Sequence, residues 1–206
     1  MLIEPNAFGR KQYTSTGVKT KSQNREGKKM TKTQRLVLIS LIVTLTFIFS
    51  ACSHVTVPRG AIPVKMEVVG PMSVSKAIAL ENGVPDSKLT LIATQGFHKW
   101  YADYNVWTSF VVNQLESELR GRGVQVSPNS QEIIRVKVEQ AGLFWGSFST
   151  RCILNVRVER KDGTWSKSYE GNNASPASLY RSVDGAVYKA VVAILQDRDF
   201  MNAISK

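Results

Sequence analysis

"STRCILNVRVERKDGTWSKSYEGN", residues 149–172, decides the fold. Cys152, Leu154, Val156 and Val158 fall on one side of a period of two, and Ile153, Asn155 and Arg157 on the other. Such alternation marks a strand with one buried face, here the face of the first set. The pattern breaks at Asp162-Gly163, a dipeptide suited to a two-residue hairpin turn in which both central residues take positive φ. The chain then returns in a second arm, with Trp165 and Tyr169 on one face. Just upstream, "QEIIRVKVEQAG" (131–142) repeats the period: Ile134, Val136 and Val138 oppose Arg135, Lys137 and Glu139. Successive strands with one apolar face need a cover.

Two amphipathic segments supply it. In "NVWTSFVVNQLESELRGRG" (105–123), Trp107, Phe110, Val111, Leu115 and Leu119 recur at helical spacing. Asn105 is the expected N-cap, and Gly121 and Gly123 suit the left-handed residue that ends a helix. In "SPASLYRSVDGAVYKAVVAILQD" (175–197), the stripe is Leu179, Val183, Ala186, Val187, Ala190, Val191 and Ile194. Ser175 or Ser178 can cap it and Pro176 suits a first turn. Gly185 costs about 1 kcal/mol against Ala in a helix interior but permits close packing on the sheet. "DRDFMNAI" (197–204) reads as a short terminal helical turn held by Phe200 and Ile204. The expected fold class is α+β: a largely antiparallel sheet with two amphipathic helices packed on one face.

The preceding part is less regular. "SHVTVPRGAIP" (53–63) has the prolines and glycine of a flexible tether, taken as 52–63. "VKMEVVG" (64–70) and "VSKAIALENG" (74–83) are strand-like, the second also compatible with a helix. "KLTLIATQG" (88–96) sets Leu89, Leu91 and Ala93 against Lys88, Thr90 and Ile92, as in a half-buried strand. "GFHKWYADYNVW" (96–107) holds five aromatic residues and reads either as a loop over one end of the core or as a pocket wall. "QAGLFWGSFS" (140–149) joins two strands yet carries Leu143, Phe144, Trp145 and Phe148. These side chains either fold back on the sheet or form an exposed tip that meets a partner or a bilayer, with Phe144 and Trp145 as the candidate contacts.

"TKTQRLVLISLIVTLTFIFSACSH" (31–54) contains sixteen uncharged residues, 36–51, between Arg35 and Cys52. A bilayer-spanning helix needs about 20 apolar residues. A basic n-region, an apolar h-region and the small pair Ser50-Ala51 have the layout of a signal peptide, placed at 30–51; an uncleaved anchor and a core helix are the competing readings. "FSAC" (49–52) resembles the lipobox of bacterial lipoproteins. That resemblance implies cleavage between Ala51 and Cys52 and a thioether-linked diacylglycerol, usually with a further acyl chain, on Cys52. Several acyl chains anchor stably where one holds marginally. Ser53 in place of Asp implies sorting to the outer membrane. Residues 1–29 are polar and aperiodic, expected to be either an over-extended N-terminus ahead of Met30 or a disordered basic tail.

The leader also explains the charge. The net charge of +11 invites a nucleic-acid reading. Residues 1–35 hold nine Lys/Arg and two Glu, whereas 52–206 hold 18 basic and 14 acidic residues of mixed order. No basic stripe is left to follow a phosphate backbone, so nucleic acid is not expected as a partner. The chain has two His and two Cys. It shows no phosphate loop, no metal-ligand spacing and no nucleophile beside a base. His98 and Asp103 lack a third member. No catalytic residue, metal ligand or cofactor is therefore assigned. Cys152, between strand residues, is expected to be a small buried hydrophobe; without lipid on Cys52, a disulfide between the two would be open.

At "LESELRGRGVQVSPNSQEIIRVKVEQ" (115–140) the chain resembles the YajG-type bacterial lipoproteins. The matching residues are Arg122, Gly123, Val126, Pro128 and Asn129, with Ser127 between, and the likeness covers roughly 65–200. It implies a single periplasmic α+β domain, 64–206, that serves as an accessory of the cell envelope and carries no established catalytic residue. The expected function is a lipid-anchored, periplasm-facing, non-catalytic outer-membrane lipoprotein with an envelope protein partner and, through Cys52, the membrane. The alternatives are an accessory subunit of a lipid or lipopolysaccharide transport assembly, a cell-wall binder, and an envelope enzyme with a cleft in 97–107.

Overall fold

The computed structural model describes residues 31–48 and 52–205. The expectations for residues 1–29 and for Ala51 fall outside the described residues. The chain separates into two units, Met1–Phe47 and Ile48–Lys206.

In the first unit, α1 (Lys32–Ile48) is a 17-residue helix. Thr31 and Gln34 start it with a reciprocal capping box: the Thr31 amide donates to Gln34 Oε1 (3.0 Å) and the Gln34 amide to Thr31 Oγ1 (3.3 Å). Leu36, Val37 and Ile39 are exposed. Among the described residues, no helix is long and apolar enough to cross a membrane.

The second unit is α+β. Its strands are β1 (Ser53–Val55), β2 (Ala79–Asn82), β3 (Leu89–Gln95), β4 (His98–Asp103), β5 (Ile133–Trp145), β6 (Thr150–Arg160) and β7 (Ser166–Ser175). Its helices are α2 (Tyr104–Gly121), α3 (Leu179–Gln196) and α4 (Arg198–Ser205). A four-stranded sheet runs β2-β5-β6-β7 and a three-stranded one β1-β4-β3. In each, the first pair is parallel and the others antiparallel.

The four-stranded sheet is built on the expected hairpin. Cys152, Leu154, Val156 and Val158 are fully buried, and Val136 and Val138 continue their face on β5. Helices α2 and α3 lie across this face, α2 over β2 and β5, α3 over β6 and β7. Trp107, Val111, Leu115 and Leu119 of α2 and Val183, Ala186, Val187, Ala190, Val191 and Ile194 of α3 are all fully buried. The opposite face is polar and cross-linked by charge, with Arg135–Glu81, Lys161–Glu81 and Arg157–Glu159 pairs; the Arg160–Glu132 pair lies on the helix side, where Arg160 Nη1 also donates to Ala203 O. Phe200 and Ile204 of α4 are buried, as expected for a segment that packs back.

The tightest contact is between α3 and β7. A Cβ at Gly171 would lie 1.9 Å from the Ala186 carbonyl oxygen, and one at Gly185 would lie 2.1 Å from Asn173 Nδ2. The strand backbone therefore meets the helix backbone at Gly171, and the Asn173 side chain fills the place of a side chain at Gly185. This accounts for Gly185 within a helix.

Several expectations need correction. The hairpin turn has positive φ only at Gly163 (74°). It is a longer connection, in which the Gly163 amide donates to Arg160 O and the Arg160 amide to Trp165 O, each at 2.9 Å. Residues 64–70 form a turn, with the Val68 and Val69 amides both donating to Lys65 O, and only 79–82 of the next segment is a strand. On β3, Leu89 and Leu91 are exposed and Ile92 is buried, so the inward face is the Thr90–Ile92 set and not the leucines; a register shift between Leu91 and Ala93 follows. The same device moves the end of β5. A shift between Val138 and Gln140 changes the inward set to Ala141 and Leu143, so the strand continues to Trp145 where a connection was expected. Helix α2 is capped by Asp103, not Asn105. It ends in a Schellman motif on Gly123 (φ 91°), with Gly123 N–H to Arg120 O and Val124 N–H to Leu119 O. Of the two serines that could cap α3, Ser178 does so, as one of the two expected readings had it.

The tether is the largest correction. Residues 53–64 are docked along most of their length. Thr56 is 2 % exposed; its amide donates to Tyr101 O and its carbonyl accepts from Trp107 Nε1, both at 2.8 Å. The Arg59 amide donates to Asp184 Oδ1, and its guanidinium lies 3.3 Å from the Tyr180 ring centroid. Gln114 Nε2 donates to Ile62 O. The globular domain begins at residue 53, not 64.

Gly171→Ala is expected to cost about 3 kcal/mol, because its methyl meets backbone that cannot turn aside. Gly121→Ala has no atom within 4 Å of the new carbon and is expected to be neutral or to stabilise by up to about 1 kcal/mol. Equilibrium urea unfolding of the two variants checks both.

Candidate functional site

Cys52 stands one residue before β1 and is exposed and not disulfide-bonded. Its carbonyl accepts from the Lys99 amide at 2.9 Å, and Ser53 and His54 then pair with Lys99 and Trp100. β1 is parallel to β4, so Cys52 sits at the end of the three-stranded sheet where Gly96 and Phe97 turn β3 into β4. The aromatic segment expected as a loop is thus a strand that feeds α2 directly.

A row of rings crosses this end. His54 Nε2 and His98 Nδ1 are 2.9 Å apart, one donating and the other accepting. His54 stacks on Trp100 with centroids 4.9 Å apart and planes at 23°. Trp100 meets Trp145 at 4.4 Å. Trp145 closes β5, and the connection beyond it is a tight tip in which the Gly146 amide donates to Ser149 O at 2.8 Å. The rings therefore join Cys52, the β3–β4 turn and the β5–β6 tip into one end of the domain.

The tip divides its aromatic residues. Leu143 is buried and Trp145 half-buried against Trp100, whereas Phe144 is 54 % exposed and Phe148 90 %. Of the two candidate contacts, Phe144 faces solvent and Trp145 only in part. Phe97, at the neighbouring turn, is 71 % exposed. A shallow groove of about 360 Å³ is lined by Phe144, Trp145, Gly146, Ser149, Arg151 and Ile153. His54 was not singled out from the sequence; a three-residue strand carries too little pattern to reveal its register.

His98 and Asp103 do not form a dyad. Five residues apart on one strand, they lie on opposite faces of β4. Asp103 Oδ1 accepts from the Asn105 and Val106 amides, and Oδ2 from the Ser87 hydroxyl. These bonds, with Ser87 the largest, hold its carboxyl below the usual aspartate range. Among the described residues, no group of three or more His, Cys, Asp or Glu is placed to hold a metal. Cys152 is fully buried and not disulfide-bonded, and burial pushes its thiol up to about 12. It is a core residue, as expected.

The Arg122-Gly123 pair has a local role. Arg122 and Glu118 form an ion pair on the last turn of α2, with the Arg122 side chain 2 % exposed. Glu118 Oε1 accepts from the Val64 amide and Arg122 Nη2 donates to the Val64 carbonyl, each at 2.8 Å. The pair thus clips the C-terminal end of the docked segment to α2. No family model matches the chain, and no curated protein matches it significantly.

Glu118→Ala leaves a buried guanidinium unpaired and is expected to cost about 3–5 kcal/mol. Limited proteolysis should then open residues 53–64 before the rest of the domain. For Asp103, the folded-state pKa lies below the unfolded value of about 3.9. Its contribution is therefore complete above that pH and is lost as pH falls through the folded-state value. Asp103→Ala is expected to cost about 1 kcal/mol at pH 7. The gap between variant and parent should close as unfolding is measured below about pH 4.

Proposed function

We propose that this is a lipid-anchored, non-catalytic lipoprotein of the bacterial cell envelope, its domain facing the periplasm from the outer membrane. The observation that carries the reading is the position of Cys52. The cysteine that completes the lipobox-like "FSAC" is exposed and stands one residue before the first strand. Cleavage before it would leave the α+β domain whole. A cysteine needed in the core could not accept a bulky lipid, and the core cysteine is instead Cys152.

Other features support the separate parts of this reading. The capped apolar helix α1 precedes Cys52 and has the length of a signal h-region rather than of a span. The likeness to YajG-type lipoproteins at residues 122–129 favours the envelope and an accessory role. The Schellman turn at Gly123 and the clip at Arg122 give that motif a structural purpose rather than a catalytic one. The non-catalytic reading is supported by the divergent directions of His98 and Asp103. The accessory-subunit alternative, in a lipid or lipopolysaccharide transport assembly, draws on the exposed Phe144 and Phe148.

Intact-mass analysis of the membrane-extracted protein is expected to give a chain that begins at Cys52 and carries a diacylglycerol and an acyl chain. Cys52→Ser should accumulate as uncleaved, unlipidated precursor. A mature chain with unmodified Cys52, or normal processing of the variant, would overturn the proposal.

A further inference from the structure

We infer that the end of the domain bearing Cys52 lies on the bilayer, with Phe97 and Phe148 inserted at the lipid–water interface and Phe144 beside them. The inference rests on the lipoprotein reading and adds what it leaves open: how the domain is oriented and what covers its exposed aromatic end.

The first premise is the absence of slack. A lipoprotein whose anchor is followed by a flexible tether can hold its domain away from the membrane. Here the Cys52 carbonyl is itself hydrogen-bonded to the β4 backbone, and Ser53, His54 and Val55 are paired strand residues. The following segment stays docked through Thr56, Arg59, Ile62 and Val64. Acyl chains on the Cys52 sulfur and amine would start at the surface of the folded domain, so the bilayer must come within a side chain's length of that end.

The second premise is what that end displays. Cys52 and Phe97 sit together because β1 and β4 are parallel and start in register. The β5–β6 tip is held to the same end through the contacts of Trp100 with His54 and Trp145. The most exposed large apolar side chains of this unit are Phe148 and Phe97, at 90 % and 71 %, both at hairpin tips. Aromatic rings on tips that flank an acyl anchor are placed to enter the interfacial layer, where such side chains are favoured. Lys99 and Arg151 are exposed beside them and make no ion pair among the described residues. They suit anionic headgroups, and their aliphatic stems can lie along the interface. The far end of the four-stranded sheet is different: Arg160, Glu132, Asp162, Lys161 and Glu81 are joined in ion pairs there. An end with paired charges faces water at no loss; an end with bare aromatic tips and unpaired cations fits a lipid surface.

The test uses the mature lipidated protein in vesicles of phosphatidylethanolamine and phosphatidylglycerol. With Cys52 blocked by lipid and Cys152 buried, Phe97→Cys, Phe148→Cys and Thr164→Cys each present one thiol for an environment-sensitive fluorophore. Thr164 lies beyond the far end of β6, about 35 Å from the tip by strand rise. Labels at 97 and 148 are expected to shift to the blue and be quenched by a lipid-borne quencher, while the label at 164 keeps its aqueous emission. Aqueous emission at 97 and 148 in a preparation whose mass shows lipid on Cys52 would overturn the inference and leave the lipoprotein reading standing. A mass without lipid would sink both, by a separate measurement. A blue shift in native envelope membranes but not in pure-lipid vesicles would also overturn it, and would assign the end to an envelope protein.

Discussion

The backbone contact between β7 and α3 sets the dimensions of the rest. At Gly171 there is no room for a methyl group between the strand and Ala186 of the helix, and Gly185 faces Asn173 as closely. A helix seated this low on a sheet has no space for large side chains along its line of contact. The residues of α3 nearest that line, Ala186 and Ala190, are accordingly small. The bulk needed to fill the other half of the layer comes from α2, through Trp107, Leu115 and Leu119. The two helices thus divide the sheet unequally, one by close approach and the other by volume. The helix penalty at Gly185 is offset by dispersion contacts that any larger residue would prevent.

That layer creates the surface on which residues 53–64 lie. The segment runs from the edge of β4 across both helices, and beyond the bond to Tyr101 O of β4 the groups that hold it belong to α2, its C-cap Arg122 and α3: Trp107, Gln114, Glu118, Arg122 and Asp184. Its backbone polar groups find partners on side chains because it leaves its sheet after three residues. The Glu118–Arg122 pair is instructive. An i,i+4 pair on an exposed helix face stabilises by a few tenths of a kcal/mol. Buried, it requires further hydrogen bonds to compensate for desolvation, and the amide and carbonyl of Val64 provide them.

Much of this was legible in the sequence because it follows from side-chain period. The β6 face, the α2 and α3 stripes and the return of Phe200 and Ile204 were all read from spacing. The errors fall where period is interrupted or where structure depends on distant partners. Two register shifts, at Leu91/Ala93 and Val138/Gln140, invert the inward set partway along a strand. A reader of alternation alone then ends β5 too early; on β3 such a reader takes the wrong face because the two leucines ahead of the shift are the exposed ones. The docked segment is harder. "SHVTVPRGAIP" has the composition of a tether, and nothing within it announces Asp184 or Gln114. The N-cap error is of the same kind: Asp103 and Asn105 both suit the role, and the Ser87 hydroxyl bonded to Asp103 comes from a different part of the chain. At the candidate site, Cys52 and Phe144 were visible as residue types. The ring contacts that place them at one end needed the register of β1 on β4.

The distribution of charge belongs to the same physical picture. The chain's net charge of +11 suggests a uniformly basic molecule, but the second unit places many of its charges in pairs. Across the outer face of the four-stranded sheet and its edge, Arg135, Arg157 and Lys161 each meet a carboxylate. Toward the β5–β6 tip the same face changes character: Gly142 pairs with Ile153, and Phe144 with Arg151. One sheet face thus passes from ion pairs to Ile153, Phe144 and an Arg151 that makes no ion pair among the described residues, while its strands remain continuous. On the lipoprotein reading proposed above, the end where the ion pairs stop is also the end that carries Cys52, so the gradient and the proposed anchor share one direction.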